Sequence, residues 1–284
     1  MTFSQLYREI KKKYDAACDE VKDYFTLRTL AGEIWRKYGF SPAEHIINPE
    51  KNAENHEQML QDADRALSGY PLQYVVGKTE FWNCEFYVGE GVLIPRSDTE
   101  LAVEKALERL GSGGCVYDLC CGSGCIGISV VKNSDAECFA FDISPIALEY
   151  TRKNSELNGV SDRMHIIGYD IMSSDVPKNL PMADIIISNP PYIRTDEMES
   201  LPSNVRFEPS TALEGGEDGA DFYRRIIADF TPLLKSGGYM IFEIAPGQAE
   251  ILRELFKFHG YDCDVFSDYH GNLRVACGKI EKNY

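Results

Sequence analysis

The tetrapeptide Asn189-Pro190-Pro191-Tyr192 follows directly on Asp184-Ile185-Ile186-Ile187-Ser188, a run with the pattern of a buried strand. Two successive prolines fix φ and remove two backbone donors, so the segment is stiff and offers carbonyl oxygens without competing N–H groups. That suits the recognition of an NH2 group on a planar amide or amine. Such a nitrogen shares its lone pair with the adjacent π system and is a poor nucleophile until it is held and bent. The Asn189 side-chain oxygen and the Pro190 carbonyl are expected to accept its two N–H bonds. Tyr192 is expected to stack on the planar group, and Pro191 to complete the binding segment. No carboxylate base is needed, because the alkylated nitrogen is acidic enough to lose its proton afterwards. Catalysis would then consist of alignment and electrostatics. The plain alternative is a proline-rich turn after a strand.

A second constellation lies upstream. Val116-Tyr117-Asp118-Leu119 reads as a strand running into Cys120-Cys121-Gly122-Ser123-Gly124-Cys125-Ile126-Gly127, a glycine-rich turn that opens a helix. Glycine lets the backbone take φ > 0 and approach a ligand closely, while free N–H groups at a helix start favour electron-rich atoms. Residues 120–124 are therefore expected to hold a nucleotide cofactor. Gly122, Gly124 and Gly127 also satisfy G-x-G-x-x-G, and Asp142 ends the next strand about 20 residues on, where a ribose-binding carboxylate belongs. The loop alone fits a nicotinamide enzyme as well as a methyltransferase. Asp118 tilts the choice toward S-adenosylmethionine: a carboxylate there attracts a methionine ammonium, directly or through water, and repels a pyrophosphate. Cys120 and Cys121 border a helix start, where a thiol pKa tends to fall, so both are expected to be reactive. Cys115, Cys120, Cys121, Cys125 and Cys138 do not form two separated C-x-x-C knuckles, so no metal is expected.

These loops need elements to hold them. Residues 1–70 carry a helical pattern, with Leu6, Ile10 and Tyr14 on one face and Leu27, Leu30, Ile34 and Trp35 on another, and with Ser41-Pro42 as a helix start. Lys11-Lys12-Lys13 reads as a solvated face. Residues 71–95 turn to β-formers, Tyr74-Val75-Val76, Phe81-Trp82 and Phe86-Tyr87-Val88, and suggest a linker with a β-hairpin. Residues 96–284 alternate strand and helix, which predicts a mostly parallel sheet covered on both faces, with ligands at the carboxyl ends of its strands. Strands are expected at 115–119, 137–141, 164–167, 183–188, 239–244, 263–266 and 273–277, the last two as an antiparallel hairpin. Helices are expected at 99–110, 125–132, 145–158, 221–234 and 248–258. The nearly thirty residues between Tyr192 and Asp221 lack periodicity and read as a substrate-binding lid.

The 284 residues are 44% hydrophobic and 26% charged, which fits a globular chain and neither a disordered nor a fibrous one. No stretch reaches the roughly 18 apolar residues of a membrane span, and Met1–Arg8 is too polar for a signal peptide, so a cytoplasmic protein is expected. Nine cysteines, an odd number unevenly spaced, read as reduced thiols. Of the net charge of −16, −14 falls after residue 75. That bias disfavours a nucleic-acid substrate, whose backbone needs clustered Lys and Arg.

The chain resembles the protein-glutamine methyltransferases that modify peptide chain release factors. The likeness rests on Pro71-Leu72-Gln73-Tyr74, Val92-Leu93-Ile94-Pro95-Arg96, Asp98-Thr99-Glu100, Asp118 through Gly124, Asp142-Ile143-Ser144 and Asn189 through Ile193. It continues through Glu208-Pro209, Gly215-Gly216 and Asp218-Gly219. It implies an α/β fold, a Rossmann-like seven-stranded S-adenosylmethionine methyltransferase sheet with a small N-terminal helical domain and a connecting β-hairpin. It also implies methyl transfer to the glutamine side-chain amide of the Gly-Gly-Gln loop in a release factor, with the N-terminal helices gripping that partner. By the same likeness Asp142 holds the ribose, Asp170 lies near the adenine, and Asn189 to Tyr192 hold the glutamine, with Asn189 also bordering the cofactor. This chain departs from the family at Cys120-Cys121, where Gly and Thr are usual. The rival reading is an adenine-N6 or other nucleic-acid methyltransferase, since the same clamp serves any planar NH2 delivered by base flipping.

Overall fold

The computed structural model describes residues 1–173 and 175–280. Two compact units emerge, one of Met1–Lys78 with Pro202–Phe207, the other of Thr79–Leu201 with the chain from Glu208 onward.

The first unit is helical. α1 (Phe3–Ala16) starts on a capping box, in which Thr2 Oγ1 accepts from Gln5 N and the Gln5 side chain accepts from Thr2 N. α2 (Asp19–Tyr24), α3 (Leu27–Lys37), α4 (Glu44–Ile47), α5 (His56–Leu67) and α6 (Leu72–Val76) follow. Leu6 and Ile10 of α1 pack with Leu30, Ile34 and Trp35 of α3 and Met59 and Ala63 of α5, all at 0% exposure. Lys11, Lys12 and Lys13 pair with Asp15, Glu9 and Asp64 at the surface, as a solvated face should. Ser203 joins this unit by bonding Tyr24 Oη and the Glu20 carboxylate.

Two expectations fail here. The helix after Gly39 starts at Glu44, not at Pro42, because Ser41 closes a local turn onto Ala43 N and Glu44 N before the helix begins. Tyr74-Val75-Val76 is helical instead of extended. Pro71 opens the turn, Gly77 (φ +80°) ends it, and burial of Leu72 and Val75 in the helical core outweighs their β preference.

In the second unit β1 (Lys78–Phe81) and β2 (Cys84–Tyr87) pair across Trp82-Asn83, both at positive φ, the geometry of a tight hairpin turn. α7 (Glu100–Arg109) precedes β3 (Cys115–Leu119), α8 (Cys125–Lys132), β4 (Glu137–Asp142), α9 (Pro145–Leu157), β5 (Met164–Gly168) and β6 (Ala183–Ser188). Then come α10 (Asp221–Phe230), β7 (Leu234–Glu243), α11 (Ala249–Phe258), β8 (Tyr261–Ser267) and β9 (Leu273–Ile280). Among the described residues these strands form a seven-stranded sheet in the order β5-β4-β3-β6-β7-β9-β8. β3 to β7 are parallel, and β9 runs antiparallel to β7 and β8.

Alternation along each strand assigns the faces. Val116, Cys138, Ala140, Ile185 and Ile187 pack toward α7 and α8, whereas Tyr117, Leu119, Phe141, Ile186, Met240 and Phe242 pack toward α10 and α11. α10 stops at Phe230, earlier than its periodicity suggests, because Thr231-Pro232-Leu233 tightens into a 3₁₀ turn and Leu234 already pairs with Ala183 in the sheet. No helix among the described residues is long and apolar enough to cross a membrane.

Candidate active site

Strand order reverses at β3: the chain steps outward through β4 and β5, then returns to place β6 on the other side of β3. A crevice opens at the carboxyl ends of strands at such a point. Leu119 and Ser188 are paired in register, and Ser188 Oγ donates to Leu119 O at 2.6 Å, so the glycine-rich loop and the Asn-Pro-Pro-Tyr loop leave the sheet side by side. Between them lies a cleft of about 410 Å³, within the range of ligand sites. Its wall includes Cys120, Cys121, Gly122, Ser123, Asp142, Asp170, Asn189 and Pro191. Eight of the residues chosen from sequence therefore converge, while Asp118, Gly124, Pro190 and Tyr192 are not part of this wall.

The glycine-rich loop is held from several sides. Asp142, at the end of β4, accepts from Gly122 N at 2.8 Å and from Ser144 N at 2.9 Å, one bond to each carboxylate oxygen. Each oxygen keeps capacity for another donor. Burial raises the Asp142 pKa while those N–H groups pull it back. From α9, Thr151 Oγ1 donates to Gly122 O at 3.0 Å, and Asn154, wholly buried, donates to Ser123 O at 2.9 Å while also bonding Tyr87 N and O. Sequence reading missed these two. Their signal is polar residues at positions 151 and 154, helically spaced from buried Ala147 on the inward face.

Asp118, expected to attract a methionine ammonium directly or through water, lies behind the glycine-rich loop. It is fully buried, accepts from Gly127 N at 2.9 Å, and is not part of the cleft wall. As a residue of the even-numbered face of β3, it points beneath α8. Burial pushes its pKa up to about 7 despite the Gly127 bond, and its Oδ1 has no hydrogen-bond partner.

The cysteine expectation is overturned. Burial and the neighbouring carboxylates Asp142 and Asp118 raise both the Cys120 and Cys121 thiols well above their usual range. α8 begins at Cys125 after Gly124, so neither thiol sits at the helix start that would have lowered it. Cys120 adopts φ +59°, which accounts for the glycine usual there in the family it resembles. Cys121 Sγ lies 3.5 Å from Thr151 Oγ1.

In the second loop, Asn189 Nδ2 donates to Thr99 Oγ1 at 3.2 Å, which leaves Oδ1 as the acceptor this side chain presents. Pro190 and Tyr192 lie outside the cofactor-sized cleft. Tyr192 Oη donates at 3.2 Å to Glu243, a buried carboxylate at the end of β7, and its backbone oxygen accepts from buried Gln248. Opposite, Glu208 is 5% exposed and pins the facing wall: Oε2 accepts from Ile94 N at 2.9 Å and Oε1 pairs with Arg96. Asp170 is exposed at the rim and caps its own turn by accepting from Met172 N.

Residues 98–204 match the family model described as Methyltransferase small domain. The release factor glutamine methyltransferase of Thermodesulfovibrio yellowstonii is 37% identical, over 80% of this chain and 83% of that protein. That of Geobacter sulfurreducens is 38% identical, over 82% and 80%. The chain belongs to the release factor glutamine methyltransferase family. Among solved structures, a methyltransferase from Pyrococcus furiosus matches with a TM-score of 0.55 at 15% identity, covering 81% of this chain and all of that one. The hMettl16 catalytic domain, in complex with the MAT2A 3′UTR hairpin 6, matches at 0.58 and 16%, covering 75% and 82%. At those identities the likeness speaks for the Rossmann-like fold.

As a member of this family the chain is an S-adenosylmethionine-dependent methyltransferase. Its cleft fits that cofactor. A Cβ built on Gly122 (φ +55°) would meet only Val92 at 3.9 Å, so the glycine leaves space between two cleft walls that a side chain would fill. Two oxygens of Asp142 keep spare lone pairs at the cleft wall, and the Asp118 carboxyl, with Oδ1 unpartnered, lies behind the loop.

Proposed function

We propose that this protein methylates the side-chain amide of the glutamine in the Gly-Gly-Gln loop of a peptide chain release factor, in the cytoplasm. The observation that carries this reading is the Asn189 amide, fixed through Nδ2 by Thr99 so that Oδ1 is left to accept from an NH2 group. In this reading Asn189 Oδ1 and Pro190 O take the two amide hydrogens. Asp142 holds the ribose hydroxyls, Asp170 stands near the adenine, and residues 120–124 with Asp118 behind them hold the methionine end. Bound S-adenosylmethionine supplies an electrophilic methyl group. The chain's own groups bind, orient and exclude water, which is what a weak nucleophile needs. Tyr192 is held by Glu243 and Gln248, which stiffens the clamp, and its ring is the group that would stack on the planar amide.

A labelled-methyl assay on the purified protein decides between substrates. Label should pass from S-adenosylmethionine to a release-factor fragment bearing Gly-Gly-Gln, and not to the same fragment with Gln replaced by Asn or to DNA. Label in DNA alone would replace this reading by its nucleic-acid rival, which the charge of −14 after residue 75 opposes.

The ribose assignment has its own test. Asp142→Ala should weaken S-adenosylmethionine binding by at least about tenfold, since hydrogen bonds to a charged group contribute about 1.5–3 kcal/mol each. Calorimetric titration showing unchanged affinity would remove Asp142 from the cofactor site.

A further inference from the structure

One wall of the cofactor cleft belongs to no strand or helix. Residues 169–173 leave the end of β5 as a turn and bring Tyr169, Asp170, Ile171 and Met172 to the cleft. The entry to this turn is fixed by the sheet: Tyr169 N donates to Asp142 O at 2.9 Å, and the Tyr169 ring meets Phe141 and Phe230 edge-on at 6.3 and 6.2 Å. The turn closes on itself, with Met172 N bonded to Asp170 Oδ1 at 2.8 Å and Ser173 N to Asp170 O at 2.9 Å. Its exit is held from α10. Arg225 donates through Nε to Ile171 O at 3.4 Å and through Nη2 to Ser173 O, and Nη2 also pairs with Asp229 Oδ2 at 2.7 Å. We propose that Arg225 is a positioning residue for the cofactor's base, holding the turn that presents the Asp170 carboxylate to it. The inference rests on the reading above that Asp170 stands near the adenine.

The tie needs a guanidinium. Two carbonyl oxygens two residues apart face two nitrogens of one planar fork, while Asp229, four residues along the same helix, orients that fork. An ammonium has a single nitrogen and would meet one carbonyl at a time. The helix is a firm anchor, because Tyr223, Ile226, Ile227 and Phe230 on either side of Arg225 are at 0% exposure against the sheet. Arginine also keeps its charge at any working pH, so the tie does not loosen with pH.

What the turn presents is selective. Asp170 is exposed and spends one oxygen on Met172 N, which leaves the other to accept from a donor. Met172 and Ile143, both exposed, stand in the same cleft wall and supply apolar surface for a flat ring. A 6-amino base such as adenine donates to that carboxylate. A 6-oxo base turns an acceptor toward it and is repelled. The preference depends on where the turn holds Asp170, so release of its exit should cost selectivity as well as affinity.

The test is calorimetric titration with S-adenosylhomocysteine and with its 6-oxo counterpart, S-inosylhomocysteine. Wild type should prefer the amino base by about tenfold or more, as befits a hydrogen bond to a charged acceptor. Asp170→Ala should abolish that preference. Arg225→Ala should lose most of it, together with affinity for S-adenosylhomocysteine. Arg225→Lys keeps the charge opposite Asp229 and should fall between alanine and wild type; it decides the matter if the alanine protein does not fold. A loss of affinity that is equal for the two bases, with the preference intact, is what a merely structural role would produce, and it overturns the inference alone. So does an Arg225→Ala protein that binds both ligands as wild type does. A wild type that binds the two bases equally, or a preference that survives Asp170→Ala, overturns the adenine reading and the inference with it.

Discussion

Replacing Asn189 by alanine should lower single-turnover methyl transfer by on the order of 10²–10³ while leaving fold and cofactor affinity close to wild type, because one preorganised polar contact on the reacting group is lost. The structure separates the two consequences. Asp142 and the glycine-rich loop hold their geometry through Gly122, Ser144, Thr151 and Asn154, none of which leans on Asn189. The Asn189 side chain instead bonds Thr99. Asn189→Asp keeps an acceptor for the substrate but cannot donate to Thr99. It should be harmful, but less so than alanine. Measured together, methyl transfer to the Gly-Gly-Gln fragment and calorimetric cofactor titration decide the matter. Near-wild-type turnover in Asn189→Ala would end the clamp mechanism, and an equal loss of cofactor affinity would move Asn189 into the cofactor site.

The strands were legible because a parallel sheet buried on both faces writes itself as short apolar runs. Cys115–Leu119 and Ala183–Ser188 agree with expectation to the residue. Glycine spacing and the terminal Asp142 made the cofactor loop legible for the same reason, since local geometry demands those residues. What stayed hidden depends on residues far apart in sequence. Asn154 braces Ser123 across 31 positions, and Glu208 ties Ile94 across 114. The cysteine error has a related cause: proximity to a helix start was read along the chain, while the thiol pKa is set by burial and by Asp118 and Asp142 arriving from elsewhere. Tyr74-Val75-Val76 failed because a β preference is a preference for a half-buried surface, and a helix offered these residues one.

Gly215→Ala should cost nearly as much as losing Asn189, although residue 215 carries no functional group. An added Cβ would lie 2.6 Å from Pro191 O, 2.7 Å from Tyr192 Cα and 3.0 Å from Gly219 O. All three are backbone atoms, so no side-chain rotation relieves the clash. The loop around Pro191 and Tyr192 is also fixed from its other sides: Gly215 N donates to Ile193 O at 2.7 Å, Ile193 N to Leu213 O at 2.8 Å, and Gln248 Nε2 to Tyr192 O at 3.1 Å. Restoring ordinary contact then requires the Asn-Pro-Pro-Tyr segment to move by up to about 1 Å, and a displacement of that size at a reacting centre costs on the order of 10² in rate. The folded state should lose only about 1–3 kcal/mol, as overpacking does. Gly111→Ala, whose Cβ meets nothing within 4 Å, is the control. The informative pair of measurements is thermal unfolding and single-turnover methylation at saturating cofactor. A Gly215→Ala protein that folds and methylates like the control would show that the clamp tolerates displacement, and the pre-set geometry argued for Asn189 would lose its basis.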